Sequence, residues 1–168
     1  MELRPLRISD EAEAVQGHVE LAKENWEYLL GYDEGVPWSS YLEILRNESL
    51  GQNLAEGRVP ASFLIAESGG NLIGRVSIRH CLNDFLLHTG GHIGYGVRPG
   101  FRRQGFAKEI LRQSLQLIYE LGISDVLVTC GNENLGSIQT IESQGGVLEN
   151  IVEHDGVAIR RYWIQKPL

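Results

Sequence analysis

The chain has 168 residues, 42% of them hydrophobic, and its 15 Lys and Arg against 22 Asp and Glu give a formal charge of −7. One well-buried core fits that length and two do not, so a single domain over residues 1–168 is expected. The acidic balance argues against a sequence-independent nucleic-acid surface and gives no support for an anionic membrane partner.

No run of about 18 apolar residues is present to span a bilayer. Only two cysteines occur, Cys81 and Cys130, and Met1-Glu2-Leu3-Arg4 lacks the apolar core of a signal peptide. These features predict a reducing, cytoplasmic home with both thiols free.

In chain order, Leu3 to Ile8 reads as a short strand, and Asp10 with Glu13 three residues on forms a capping-box pattern. The helix it opens carries Val15, Val19, Ala22, Trp26, Leu29 and Leu30 at helical spacing and is predicted to run to Gly31. A loop rich in aromatic and acidic groups, Tyr32 to Trp38, follows. Ser40 with Glu43 opens a second helix that falters near Gly51. Phe63 to Glu67 and Leu72 to His80 read as strands joined by a tight turn at Ser68-Gly69-Gly70-Asn71. Cys81 to Gly91 is a longer connection.

The next stretch carries the chemistry. A short apolar strand, Ile93 to Pro99, turns through Arg102-Arg103-Gln104-Gly105-Phe106-Ala107 into an amphipathic helix. That helix has Ile110, Leu111, Leu115, Leu117, Ile118 and Leu121 on one broad face and Gly122 as its stop. Its first turn offers main-chain N–H groups without partners at the positive end of the dipole, suited to a phosphate-bearing ligand. Gly105 permits close approach of the backbone, and Arg102 and Arg103 add forked donors.

Asp125 to Cys130 is nearly all apolar, as a strand covered on both faces would be. Asn134 caps a last helix through Gln144, and Val147 to His154 and Val157 to Ile164 make a hairpin around Asp155-Gly156. The order is strand, two helices, three strands, helix, strand, helix, two strands, which predicts a mixed sheet. The Ile93 and Asp125 strands should be parallel neighbours joined by a right-handed crossover, with a ligand beyond their C-terminal ends.

These residues resemble the GNAT superfamily of acetyl-CoA-dependent N-acyltransferases over nearly the whole chain. Arg102, Gly105 and Ala107 meet its R/Q-x-x-G-x-G/A loop, preceded by a strand of I-G-Y-x-V-x-P type. Asn134-Leu135-Gly136-Ser137 and Gly145-Gly146 look like its N-x-x-S/A helix and closing glycine. The string Arg79 to Asn83, Gly91 to Tyr95, Thr129-Cys130 and Arg161-Tyr162-Trp163 is similar to a bacterial subgroup of acetyltransferases. The resemblance implies an α/β fold with a mixed, mostly antiparallel sheet of six or seven strands and about four helices. It also implies direct transfer of an acetyl group from acetyl-CoA to a primary amine in a ternary complex.

Residue by residue, the resemblance assigns the diphosphate to Arg102, Arg103, Gln104, Gly105, Phe106 and Ala107. The pantetheine arm falls to Val97 and Arg98 at the strand end, with Asn134 and Ser137 beside them. Asn134 also reads simply as a helix cap. His92, at the strand position where many members carry a glutamate, is the candidate base, with a structural histidine as its rival. The Gly96 N–H is the candidate oxyanion donor. Many members place a tyrosine acid where this chain has Ile141, so the departing thiolate is protonated by Ser137, water or another side chain, or needs no dedicated acid because a thiolate is a tolerable leaving group.

Trp26, Tyr28, Tyr32 and Trp38, with His80 and Asp84, are the candidate acceptor residues, an aromatic wall with acidic groups to draw an ammonium. Each of them also reads as core or solvated loop. Cys130 is a candidate acyl acceptor or a small buried hydrophobe. His80, His88 and His92 fit no compact metal pattern, and no metal is expected. A silent acyl-CoA-binding module is the rival function, and a monomer or homodimer is expected. A dinucleotide enzyme is disfavoured by the lack of G-x-G-x-x-G after a first strand.

Overall fold

The computed structural model describes residues 1–167. Seven strands and four helices follow in the order β1 (Glu2–Arg4), α1 (Glu11–Ala22), α2 (Trp38–Ser49), β2 (Ala61–Ser68), β3 (Asn71–Arg79), β4 (Ile93–Val97), α3 (Phe106–Glu120), β5 (Asp125–Gly131), α4 (Leu135–Glu142), β6 (Val147–His154) and β7 (Val157–Gln165). The expected mixed α/β order is present. The strands fall into two antiparallel groups, β1-β2-β3-β4 and β5-β7-β6. The two meet where β4 and β5, the strands flanking α3, touch at their beginnings.

One apolar cluster joins α3 and α4 to β3, β4, β5 and β7, centred on Ile73, Ile93, Ile110, Leu111, Ile118, Val126, Val128 and Ile141. A second places α1 and α2 on the other side, with Leu21, Tyr28, Leu29, Tyr41 and Ile65 at its centre. The strands nearest the middle are therefore covered on both faces. Their near-continuous apolar sequence follows from that.

The capping box expected near the N-terminus does not form. Asp10 does not cap α1, because its carboxylate is held by the buried Arg4 guanidinium at 2.7 and 3.0 Å and by the Arg7 N–H at 2.7 Å. Glu13 is likewise drawn away, to the Leu72 N–H at 2.8 Å. The first strand is only three residues long, and α1 stops at Ala22 rather than reaching Gly31. The chain then turns tightly, with Asn25 at φ 55°, so that Trp26, Tyr28 and Leu29 leave the helix, Trp26 to cover Gly96 of β4 and Tyr28 and Leu29 to enter the core beneath α1 and α2.

Candidate functional site

The opening of α3 is built from backbone. Arg103 and Gly105 both adopt positive φ, 63° and 83°, and Gly105 is the left-handed residue that starts the helix. Four successive N–H groups, on Gly105, Phe106, Ala107 and Lys108, have no acceptor among the described residues, and no side chain caps them. A 15-residue helix thus presents its positive end bare, which is an anion-binding arrangement. Arg103 and Gln104 are exposed beside it. Phe106 and Ala107 are half-buried and pack their side chains on the core, offering only main chain to a ligand.

The other two arginines are otherwise engaged. Arg102 forks onto Glu24 at 3.0 and 2.6 Å and donates through Nε to the Val97 carbonyl at 3.0 Å. It sits at the rim, and a phosphate would compete with Glu24 for it. Arg98, expected to face the ligand, is buried in the opposite direction. Its Nε and Nη2 hold Glu20 at 2.9 and 2.8 Å, and its Nη1 holds Glu13 at 3.1 Å and the Leu72 carbonyl at 2.9 Å. Two carboxylates from α1 offset the cost of burying this guanidinium. Arg98 therefore ties the end of β4 to α1.

Beyond α3 lies the junction of β4 and β5. His92 N–H donates to the Leu127 carbonyl at 2.7 Å, and Leu127 N–H donates to His92 Nδ1 at 2.9 Å. No further main-chain hydrogen bond joins the two strands among the described residues. This pairing corrects the reading of His92 as a base. Because Nδ1 accepts, the ring proton of the neutral imidazole is assigned to Nε2, leaving no free basic nitrogen. Burial, with the nearby Arg79 charge, pushes its pKa down to about 4. His92 is a clasp at the point where the strands part.

Ladder parity decides which β4 groups face the opening. Arg79 N–H bonds the His92 carbonyl and Arg98 N–H bonds the Ile73 carbonyl, so within the β3–β4 register the hydrogen-bonded pairs include Arg75 with Gly96. The Gly96 N–H is thus spent on β3 and is no oxyanion donor. The N–H groups of Tyr95 and Val97 point the other way, into the gap towards β5.

Side chains alternate in the same manner. Ile93, Tyr95 and Val97 pack towards α3 and α4, while Gly94 and Gly96 face the α1 and α2 side. The Tyr95 hydroxyl is buried and has no hydrogen-bond partner among the described residues. Ser137 and Thr140 come near enough to temper its pKa but in no ordinary bonding geometry, and burial still pushes it up to about 12. Ser137 is therefore placed at the tip of Tyr95. Asn134 accepts from the Ser137 N–H at 3.0 Å, so its oxygen serves as the α4 cap. Ile141 is fully buried in the core. Cys130 is buried too, and burial pushes its thiol up to about 11, which disfavours the nucleophilic thiolate. At the C-terminal end of β5 an open hollow of about 540 Å³ lies among Gly131, Asn132, Glu133, Asn134 and Gly156 to Ala158.

The glycine face of β4 is occupied, not open as its composition suggests. A Cβ on Gly96 would strike the Trp26 indole, and one on Gly94 would meet Arg79 Nη1 at 3.0 Å. Trp26 also lies over the Arg75 guanidinium, 4.0 Å from carbon to ring centre. Arg75 is buried, donates to the carbonyls of Tyr28, Gly94 and Glu27, and has no carboxylate partner. Burial brings its pKa down to about 9, so it remains charged at neutrality.

Of the six residues expected to wall the acceptor, only Trp26 reaches this face. Tyr28 is fully buried, with its hydroxyl on the Gly74 carbonyl at 3.2 Å. Trp38 is buried, bonds the Arg7 carbonyl and stacks with Tyr32 and Tyr41 in the α1–α2 core. His80 pairs with Ser62 at 2.9 Å. Asp84 is exposed in a separate hollow of about 290 Å³ with Leu87, His88 and Arg161. The acidic wall does not assemble, and no group of three or more metal-ligating side chains exists among the described residues. Sequence reading missed Tyr95, Arg75 and Arg79. The alternation Gly-Tyr-Gly in β4 was the available signal that Tyr95 leaves by the opposite face.

Comparison with known proteins places this geometry. The family described as acetyltransferase (GNAT) domain matches residues 1–147. RimJ of Mycobacterium smegmatis, solved with CoA-disulfide, is 21% identical with a TM-score of 0.73, covering 97% of this chain and 80% of its own. The yncA protein of Salmonella typhimurium, solved with acetyl-CoA, is 15% identical with a TM-score of 0.65, covering 98% of this chain and 92% of its own. A variant of spermidine N-acetyltransferase SpeG from Vibrio cholerae is 20% identical with a TM-score of 0.65, covering 98% and 95%. No curated protein sequence matches the chain.

Proposed function

Because the chain belongs to the GNAT acetyltransferase family, we propose that it is an acetyl-CoA-dependent N-acetyltransferase acting on a primary amine of a small molecule or peptide by direct transfer in a ternary complex. One observation carries this reading: four bare N–H groups at the start of α3 lie on the chain segment that leads directly from the open edge of β4. The first feature suits a diphosphate and the second an extended amide-bearing arm, which would pair with the Val97 N–H as an added strand does, the Val97 carbonyl already accepting from Arg102 Nε. Acetyl-CoA, when bound, supplies the acetyl group as a reactive thioester.

The chain's own groups divide the remaining work. Tyr95 and Val97 N–H are fixed donors in the gap, aimed before any reaction begins. The Tyr95 hydroxyl, buried without a partner, is the donor we assign to the departing sulfur, with Ser137 beside it. Arg75 and Arg79 place positive charge behind the glycine face, which disfavours an ammonium there and favours the neutral, nucleophilic amine. Solvent then takes the amine's proton.

A silent acyl-CoA-binding module is the rival reading, favoured by the wholly buried Ile141. Calorimetry with acetyl-CoA and thiol release with an amine library separate the two. Saturable binding with amine-dependent thiol release is expected, and binding without turnover on any amine would leave the module standing.

A further inference from the structure

Among the described residues six arginines are not exposed, and five of them spend their Nε on a protein acceptor. Arg98 gives its Nε and Nη2 edge to Glu20, Arg4 bonds Glu67 and Asp10, Arg75 and Arg161 bond carbonyls, and Arg160 bonds Asn132. Arg79 is different. Its Nη1 donates to the Gly90 and Gly91 carbonyls at 3.1 and 3.4 Å, while Nε and Nη2 have no partner among the described residues. Among the described residues the Tyr95 hydroxyl is the one fully buried side-chain polar atom without a partner, so Arg79 Nε and Nη2 keep some contact with solvent. Arg79 thus leaves without a protein partner the edge of the guanidinium that grips a carboxylate through two parallel hydrogen bonds.

Its place in the fold is equally specific. The guanidinium lies over Gly94, whose missing side chain makes the room, one ladder step from Gly96 and Trp26. The surroundings are largely cationic: Arg75 is buried nearby, Arg58 raises the local positive field, and the opposing Glu48 accepts both Arg58 Nε and Nη2 on its Oε1 at 2.9 and 2.5 Å. Partly buried charge without a counter-ion is costly, and an incoming anion would relieve that cost.

Resting on the transferase reading above, we infer that Arg79 binds a carboxylate of the acceptor, so that the substrate is an amine bearing a carboxylate close to its nitrogen, as in an amino acid, and not a polyamine. The fixed carbonyl contacts of Nη1 orient the fork, and the short strand spacing between Gly94 and Gly96 suits a compact acceptor.

The test uses matched pairs in the thiol-release assay: L-amino acids against the amines obtained by removing their carboxylate, with wild type, Arg79→Lys and Arg79→Gln. In wild type, kcat/KM should favour the carboxylate-bearing member by about ten- to a hundredfold, the worth of charge-assisted hydrogen bonds. R79Q should erase that ratio and R79K keep part of it, both retaining the calorimetric signature of acetyl-CoA binding. The desamino acid of the best acceptor should inhibit wild type competitively and R79Q not at all. Decarboxylated amines that match or exceed their amino acids would overturn the assignment and leave the transferase reading intact. Acetyl-CoA binding with no turnover on either set would overturn both.

Discussion

The two faces of β4 are made of different material. On one, Ile93, Tyr95 and Val97 look towards α3 and α4, and binding capacity resides in main-chain groups: the bare N–H run from Gly105 to Lys108 and the free edge of the strand. On the other, Gly94 and Gly96 have no side chains, and their space is filled by Trp26 and Arg79 arriving from distant segments. Backbone recognition tolerates change in side chains, whereas a face assembled from borrowed side chains can be altered by one substitution. A constant donor and a variable acceptor are therefore compatible on one strand.

The sharpest way to break this contrast is a pair of substitutions. Gly105→Val forces a β-branched residue into φ 83°, where nothing crowds the new Cβ, so the penalty is local backbone strain of about 1–2 kcal/mol. The donor fan is distorted, and acetyl-CoA affinity should fall by about a hundredfold or more by calorimetry while the fold survives. Gly96→Val places its side chain into the Trp26 indole, costs about 1–3 kcal/mol in denaturant unfolding and leaves acetyl-CoA binding within a few-fold. Equal loss of cofactor binding in both variants would show that the faces are not separable.

Tyr95→Phe comes next in size. A buried hydroxyl without a partner adds nothing to the free protein, so removing it should leave stability unchanged or slightly raised. Single-turnover acetyl transfer should slow by about ten- to a hundredfold with acetyl-CoA affinity unaltered. An unchanged rate would remove Tyr95 as the donor to sulfur and return that part to solvent.

The cofactor side was legible in the sequence because its determinants are contiguous. Arg102 to Ala107, the apolar stripe of α3 and the stop at Gly122 all lie within about two dozen residues and obey local rules. Even there Arg98 misled, since its carboxylates sit on α1, seventy-eight residues from it in the case of Glu20. The proposed acceptor side was illegible because nothing local encodes it. Trp26 reaches β4 only because α1 ends at Ala22, and Arg75 is buried only because the segment after α1 brings Trp26 and the Glu27 and Tyr28 carbonyls onto it. The capping box at Asp10 failed for the same reason: a buried guanidinium outbid the helix for the carboxylate.

His92 tests the junction from which both faces diverge. Its folded pKa of about 4 lies below the ordinary value of about 6.5, so between those values the unfolded chain binds the extra proton. This contribution is complete above the upper value and is lost as pH falls towards the lower one. His92→Gln should flatten the rise of the urea midpoint across that window and leave the pH profile of transfer above neutrality unchanged. A profile displaced by the substitution would restore His92 as a proton carrier.

Asn134 carries the smallest expected effect and asks whether α4 touches the cofactor with side chains at all. Its Oδ1 is committed to the Ser137 N–H at 3.0 Å, and α4 is only eight residues long, so the cap matters to the helix. Asn134→Ala should cost about 1 kcal/mol in unfolding, and Asn134→Asp, which keeps an acceptor at the same place, should recover most of it. If α4 contributes only packing and the Ser137 hydroxyl, the aspartate variant will retain the wild-type KM for acetyl-CoA. A raised KM with full stability would instead mean that the amide nitrogen, which the cap leaves free, reaches the cofactor arm, and the contrast between a main-chain donor side and a side-chain acceptor side would need to be redrawn.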